Sequence, residues 1–137
     1  MCTFVNSKRR INQKIISMKI SRDKIWKMFG KRCAYCGCEL QTSTGKHMHI
    51  DHVKPLVRLP GSKIQEHPER DTVENLFPSC PQCNNYKHSM SVAQFRDQID
   101  FSIPRLYQTA PYRNAIRFGL VKEVGWDAKF YFEKFKP

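Results

Sequence analysis

The chain has 137 residues, a formal net charge of +12 and six cysteines. This length suits one domain with short appendages. No apolar run approaches the roughly 18 residues of a membrane-crossing helix, and no apolar stretch follows the basic Met1 to Arg10 as in an export signal, so a cytoplasmic protein is expected, without a membrane partner.

Residues 1–20 read as a basic arm, either flexible or ordered as a helix by a partner. Residues 1–32 carry ten Lys or Arg and one Asp, whereas residues 33–89 carry six of each sign. Residues 90–137 carry eight basic and five acidic groups. The positive field therefore comes from the arms, beside an electrically balanced centre. That distribution favours a polyanion held by its phosphates, with Lys8, Arg9, Arg10, Lys14 and Lys19 as contacts. A solvated tail that aids solubility is the plainer alternative.

Ser21 suits a helix start, with Ile25, Met28 and Phe29 at helical spacing and Gly30 at the end. Cys33-Ala34-Tyr35-Cys36 then forms a short knuckle, with Gly37 relieving the turn, and Trp26 is expected to pack on it. Lys46 to Val53 alternates like a strand. Strict alternation puts Asp51 and His52 on opposite faces, so they serve one site only if the strand ends or bulges there. Pro55 supports an end nearby.

Residues 57–74 hold Pro60-Gly61, Pro68 and many charges, and read as an exposed loop. Asn75-Leu76-Phe77-Pro78 leads into Cys80-Pro81-Gln82-Cys83. Pro81 suits the first turn of a helix that carries Asn84, Lys87 and His88 on one face. Asn85 falls on a different face. Ser91 to Gln94 is a capping-box pattern, and Val92, Phe95 and Ile99 make an apolar stripe that Pro104 is expected to end. A short helix over Tyr112 to Phe118 follows, then a hairpin from Leu120 to Phe135 around Gly125-Trp126-Asp127. The aromatic residues of 101–135 are expected in the core.

Two Cys-x-x-Cys pairs in a chain with no export signal favour metal over disulfides. Four thiolates make a closed tetrahedral zinc site. Symmetric pairing selects Cys33, Cys36, Cys80 and Cys83 and leaves Cys38 and Cys2 as spare thiols. The Asp, His and Asn groups between and beside the pairs suit a second, harder metal. His49 reads as structural or phosphate-facing, and His47 and His67 as solvent-exposed.

These residues carry a resemblance. Cys-x-Tyr-Cys-Gly, then Ile-Asp-His-Val-x-Pro-Leu, then Glu-Asn-Leu-x-x-x-Cys-x-x-Cys-Asn-x-x-Lys resembles the HNH endonuclease family. The match spans about Ile20 to Phe95. Tyr131-Phe132-Glu133-Lys134 is similar to the end of small phage-type members. The resemblance implies an α+β fold: a ββα-metal (His-Me finger) core with zinc knuckles, flanking helices and a C-terminal β-hairpin. It implies a nuclease domain over 21–100 and a helix and hairpin extension over 101–137 packed on it.

It further implies metal-dependent hydrolysis of DNA phosphodiester bonds, leaving a 5′-phosphate and a 3′-hydroxyl. Residue by residue, His52 is the implied general base and Asp51 a ligand of a catalytic Mg²⁺ or Mn²⁺. Asn84 stands where relatives have His or Asn as the second ligand. His88 matches a further His used at the metal or phosphate. Asn75 fixes the loop and helps orient His52, and Lys87 meets a phosphate. Structural Zn²⁺ sits on the four paired cysteines. DNA is the expected partner, with a phage or defence-system protein as a second. A zinc-stabilised DNA-binding or inhibitor protein that keeps the fold without cutting is the alternative.

The arm generates a direct test. Removing residues 1–19 should weaken DNA binding and flatten its dependence on salt, because fewer counterions are released. Filter binding across a salt series reads the slope, and an unchanged slope would make the arm a bystander.

Overall fold

The computed structural model describes residues 21–61 and 65–137. The arm cations Lys8, Arg9, Arg10, Lys14 and Lys19, and the thiol of Cys2, lie outside the described residues. Ser21 caps helix α1 (Arg22–Lys27), its hydroxyl accepting from the Asp23 N–H at 3.3 Å. Ile25 is the buried residue of this helix. Gly30 and Lys31 then turn the chain with φ of +62° each. The Trp26 indole donates to the Leu40 carbonyl at 2.7 Å, which ties α1 to the segment after the first knuckle.

The knuckle is closed by backbone hydrogen bonds, Cys33 N–H to Cys38 O and Gly37 N–H to Cys33 O, both 2.9 Å. Gly37 has φ +75°, and a Cβ there would lie 2.8 Å from the Tyr131 ring. Both facts require glycine: its conformation is left-handed and its neighbour leaves no room.

Strand β1 (His49–His52) pairs antiparallel with β2 (Leu76–Ser79), with Asp51 opposite Phe77 and His52 opposite Leu76. The strand is shorter than the expected Lys46 to Val53. His47 and Met48 N–H groups bond back to Thr44 O at 3.0 and 2.8 Å, so a turn precedes it. The Arg22 guanidinium holds that turn, donating to Ser43 O at 2.7 Å and Met48 O at 2.6 Å. Pro78 is tolerated in β2 because a two-stranded sheet has only edge strands. Its carbonyl accepts from Ala34 N–H at 2.8 Å, joining the sheet to the knuckle.

The loop between the strands contains 3₁₀ turns at Pro68–Arg70 and Val73–Asn75. Helix α2 (Pro81–Lys87) begins at Cys80, whose sulfur accepts from Cys83 N–H at 3.3 Å. It packs against β1. The fold is thus α+β, with the order β1, β2, α2 at its centre.

Contacts divide the described chain into two units. Residues up to Ser91 together with Phe130–Pro137 form the first, and Val92–Lys129 the second. The division lies nearer to Ser91 than to the expected 100/101 boundary, and the C-terminal segment belongs with the first unit. Tyr131 N–H bonds Tyr35 O at 2.9 Å and Phe132 N–H bonds Ala34 O at 2.7 Å. Around them Phe29, Phe77 and Phe132, and Tyr35 with Phe130, meet edge to face or tilted, with centroids 5.0 to 5.4 Å apart.

The expected hairpin over Leu120 to Phe135 is not formed. Among the described residues, 120–129 have no regular element, and Tyr131–Lys134 form a short final helix. Side chains take the backbone groups a ladder would use: Asp127 Oδ1 accepts from Lys129 N–H at 3.2 Å and Glu133 Oε2 from Phe130 N–H at 2.7 Å. Ala128 also adopts φ +55°.

The second unit contains α3 (Val92–Asp100), α4 (Ser102–Tyr107) and α5 (Ala110–Arg117). Pro104 does not end the apolar stripe. The break falls at Phe101, and Pro104 sits in the first turn of α4, where N–H groups have no intrahelical partner. Tyr107 and Tyr112 meet edge to face, and Tyr112 donates to Glu123 at 3.1 Å. Phe101, Tyr107, Phe118 and Trp126 are exposed, contrary to the expected core role.

Replacing Gly37 by Ala should lower the melting temperature. The left-handed conformation alone costs about 1–2 kcal/mol for a residue with a Cβ, and the Tyr131 ring must also move. Thermal unfolding of G37A reads this, and a melting point equal to wild type would refute it.

Candidate active site and cysteine cluster

β1 ends at His52, so its last two side chains need not diverge across a continuing sheet. A cleft of about 400 Å³ is lined by Asp51, His52, Arg58, Asn84, Asn85 and His88, among others. The structure therefore brings together the sequence-predicted Asp51, His52, Asn84 and His88. Asn85, set aside on helical phase, also reaches the cleft.

Asp51 is buried, with 6 % of its surface exposed. Its Oδ2 accepts from the Tyr35 hydroxyl and lies 2.9 Å from Lys87 Nζ. Lys87 has no exposed surface, and its ammonium also donates to His52 O at 3.0 Å. This differs from the expected phosphate contact: Lys87 points inward and neutralises Asp51. A buried charge needs such a partner, because the interior solvates it poorly. Burial, then the Asp51 charge, pushes the Tyr35 hydroxyl far above its ordinary pKa, so it stays a proton donor.

His52 Nε2 lies 3.1 Å from Asp71 Oδ1, both side chains being partly buried. A carboxylate can only accept, so Nε2 carries the proton and Nδ1 is left as the basic nitrogen. Asn75 sits at the end of its 3₁₀ turn and cross-links the loop. Its Nδ2 donates to Lys54 O and Arg70 O, and its Oδ1 accepts from Lys54 N–H, each at 2.8 Å. It thus fixes the chain just after His52 and just before Asp71. His88 caps α2 with φ +46°, an uncommon conformation for a residue with a side chain. Its Nδ1 lies 3.1 Å from Ser89 Oγ. His47 and His67 are partly buried rather than fully exposed, and His67 pairs with Glu69 at 3.0 Å.

Cys33, Cys36, Cys38 and Cys80 place their sulfurs within 4.8 Å of one another and could hold a metal ion. Cys38, expected as a spare thiol, thus stands in that set where paired spacing had placed Cys83; Cys83 lies next to it, its N–H donating to the Cys80 sulfur at 3.3 Å. Without a cation the thiols divide their charge unequally. Hydrogen bonds from Cys36 and Cys83 hold Cys33 well below the usual thiol range. The same bonds push Cys36 and Cys83 up, while burial and then Cys36 push Cys38 up. A divalent cation would let several ionise together.

Tyr35, Arg58 and Asp71 are the cleft and support residues that the sequence reading did not single out. Tyr35 stands within the quoted Cys-x-Tyr-Cys motif, which is a usable signal. Asp71 and Arg58 lie in the loop, where no periodicity marks them. Among the described residues no helix is long and apolar enough to cross a membrane.

The Asp51–Lys87 pair gives a prediction. Lys87→Met should destabilise the protein by about 3–5 kcal/mol, because it strands a buried carboxylate. Denaturant unfolding measures this, and a loss below that of an ordinary surface substitution would contradict the pairing.

Residues 33–90 match the family model described as HNH endonuclease. No curated protein and no solved structure matches the chain significantly.

Proposed function

We propose, from the HNH endonuclease match and the cleft, that this chain hydrolyses DNA phosphodiester bonds with His52 as general base. The observation that carries the reading is the single cleft shared by His52, Asp51, Asn84 and His88. Phosphodiester hydrolysis needs a base near neutrality, a cation for the developing charge and a frame that keeps both in line. The residues supply each part.

His52 Nδ1 accepts the proton of the attacking water, while Asp71 holds Nε2–H and stabilises the charged ring that results. Asn75 acts on His52 through the loop that carries Asp71. Asp51, Asn84 and His88 offer a carboxylate, an amide oxygen and an imidazole, a donor set that fits Mg²⁺ or Mn²⁺. Tyr35 and Lys87 occupy Asp51 Oδ2, so Oδ1 is the oxygen available to such an ion. The chemistry supplied by a bound ion is offset of charge on the phosphate and departing 3′-oxygen. Arg58 lines the cleft and suits a phosphate, and the cations of residues 1–20 suit further phosphate contacts.

The cysteines fit Zn²⁺. Two sulfurs bound tetrahedrally at about 2.3 Å from zinc lie about 3.8 Å apart, and Cys36 and Cys80 sulfurs are 3.8 Å apart. Cys33, Cys36, Cys80 and Cys83 form the motif set, which joins the knuckle to α2.

Plasmid DNA incubated with wild type and His52→Ala in Mg²⁺, Mn²⁺ and EDTA tests the proposal. Loss of the base should slow cutting by roughly 10²–10⁴-fold while DNA binding persists. EDTA should stop the wild type. Cutting by His52→Ala at the wild-type rate would sink the assignment, and binding without cutting by the wild type would favour the non-cleaving alternative.

A further inference from the structure

We infer that Cys38 is a fifth ligand of the cysteine metal site, exchanging with Cys83 for the fourth coordination position. The inference rests on the metal reading of the cluster. Symmetric Cys-x-x-Cys spacing makes Cys38 a spare thiol, but the fold does not leave it aside. The bond from Cys33 N–H to Cys38 O at 2.9 Å closes the knuckle. Arg32 and Glu39 pair across the same closure. Cys38 is therefore held beside Cys33 by the very turn that presents Cys33 and Cys36.

The consequence is a set of four sulfurs, Cys33, Cys36, Cys38 and Cys80, mutually within 4.8 Å. Cys83 adjoins this set in the first turn of α2, its N–H donating to the Cys80 sulfur at 3.3 Å. Four thiols thus gather, with a fifth adjoining, at a site that zinc fills with four. Zinc has no directional preference from its d electrons, so one thiolate can replace another at little cost when both reach the ion. Cys33, Cys36 and Cys80 are common to both sets, and Cys38 and Cys83 are the interchangeable pair. A cavity of about 370 Å³ has Cys38 and Cys80 in its wall beside Lys46 and His47. Cys36 and Cys38 are exposed to solvent.

The test compares wild type with Cys38→Ser, Cys83→Ser and the double variant. Zinc content and the sulfur-to-metal absorption after Co²⁺ substitution are measured on the whole chain. Each single variant should keep about one metal per chain and the band of four thiolates. The double variant should fall to the weaker band of three and lose its metal to EDTA first. A three-thiolate band in Cys83→Ser alone would overturn the exchange.

Should Cys83→Ser fail to fold, alkylation of the wild type decides. Bound zinc should slow the labelling of Cys38 relative to EDTA-treated protein. Equal labelling with and without zinc would overturn the inference. A wild type with neither zinc nor a cobalt band would instead remove the metal reading on which it stands.

Discussion

Lys87 has no exposed surface and meets Asp51 at 2.9 Å, with the Tyr35 hydroxyl on the same carboxylate oxygen. Three elements converge on that one atom: the first knuckle, strand β1 and helix α2. A charge placed there without its partner would be costly, so the three elements must dock together or not at all. The same contact orients Asp51 toward the cleft and, through the His52 carbonyl, holds the end of β1. Stability and the geometry of the candidate site thus depend on one buried ion pair.

The cysteine cluster is the second link between the knuckle and α2, and it lies on the same two segments. Its thiols divide their protons unequally, chiefly through hydrogen bonds among themselves. A cation would hold them together and supply folding free energy. The C-terminal segment adds a third attachment, hydrogen-bonding Ala34 and Tyr35 and closing an aromatic cluster over the sheet. Tyr35 is therefore held from both sides: its backbone by Tyr131, its ring by Phe130 and Phe132, its hydroxyl by Asp51.

The supports of His52 come from the loop rather than from regular structure. Asn75 binds backbone on both flanks of that loop, and Asp71 meets the imidazole. Loops can position a functional group in this way when side chains satisfy their backbone. Val92–Lys129 stands as its own helical unit, and its exposed Phe101, Tyr107, Phe118 and Trp126 do not behave as core residues.

Local chemistry was legible in the sequence wherever a short pattern carries its own physics. Ser21 announces a helix start, Pro81 a helix first turn, and the paired Cys-x-x-Cys a thiol cluster. Asp51, His52, Asn84 and His88 could be nominated because their spacing around strand end and helix face is local. Tertiary structure alone decided the rest. It turned Lys87 inward, because a helix face is apportioned by what packs on it and not by charge. It chose Asp71 as the partner of His52, 19 residues away along the chain, and brought Cys38 among the clustered sulfurs. It replaced the hairpin expected after Leu120 with irregular chain, because Asp127 and Glu133 satisfied the backbone locally. Spacing along a chain reports one element's faces, whereas these outcomes depend on which distant groups a folded neighbour leaves unpaired.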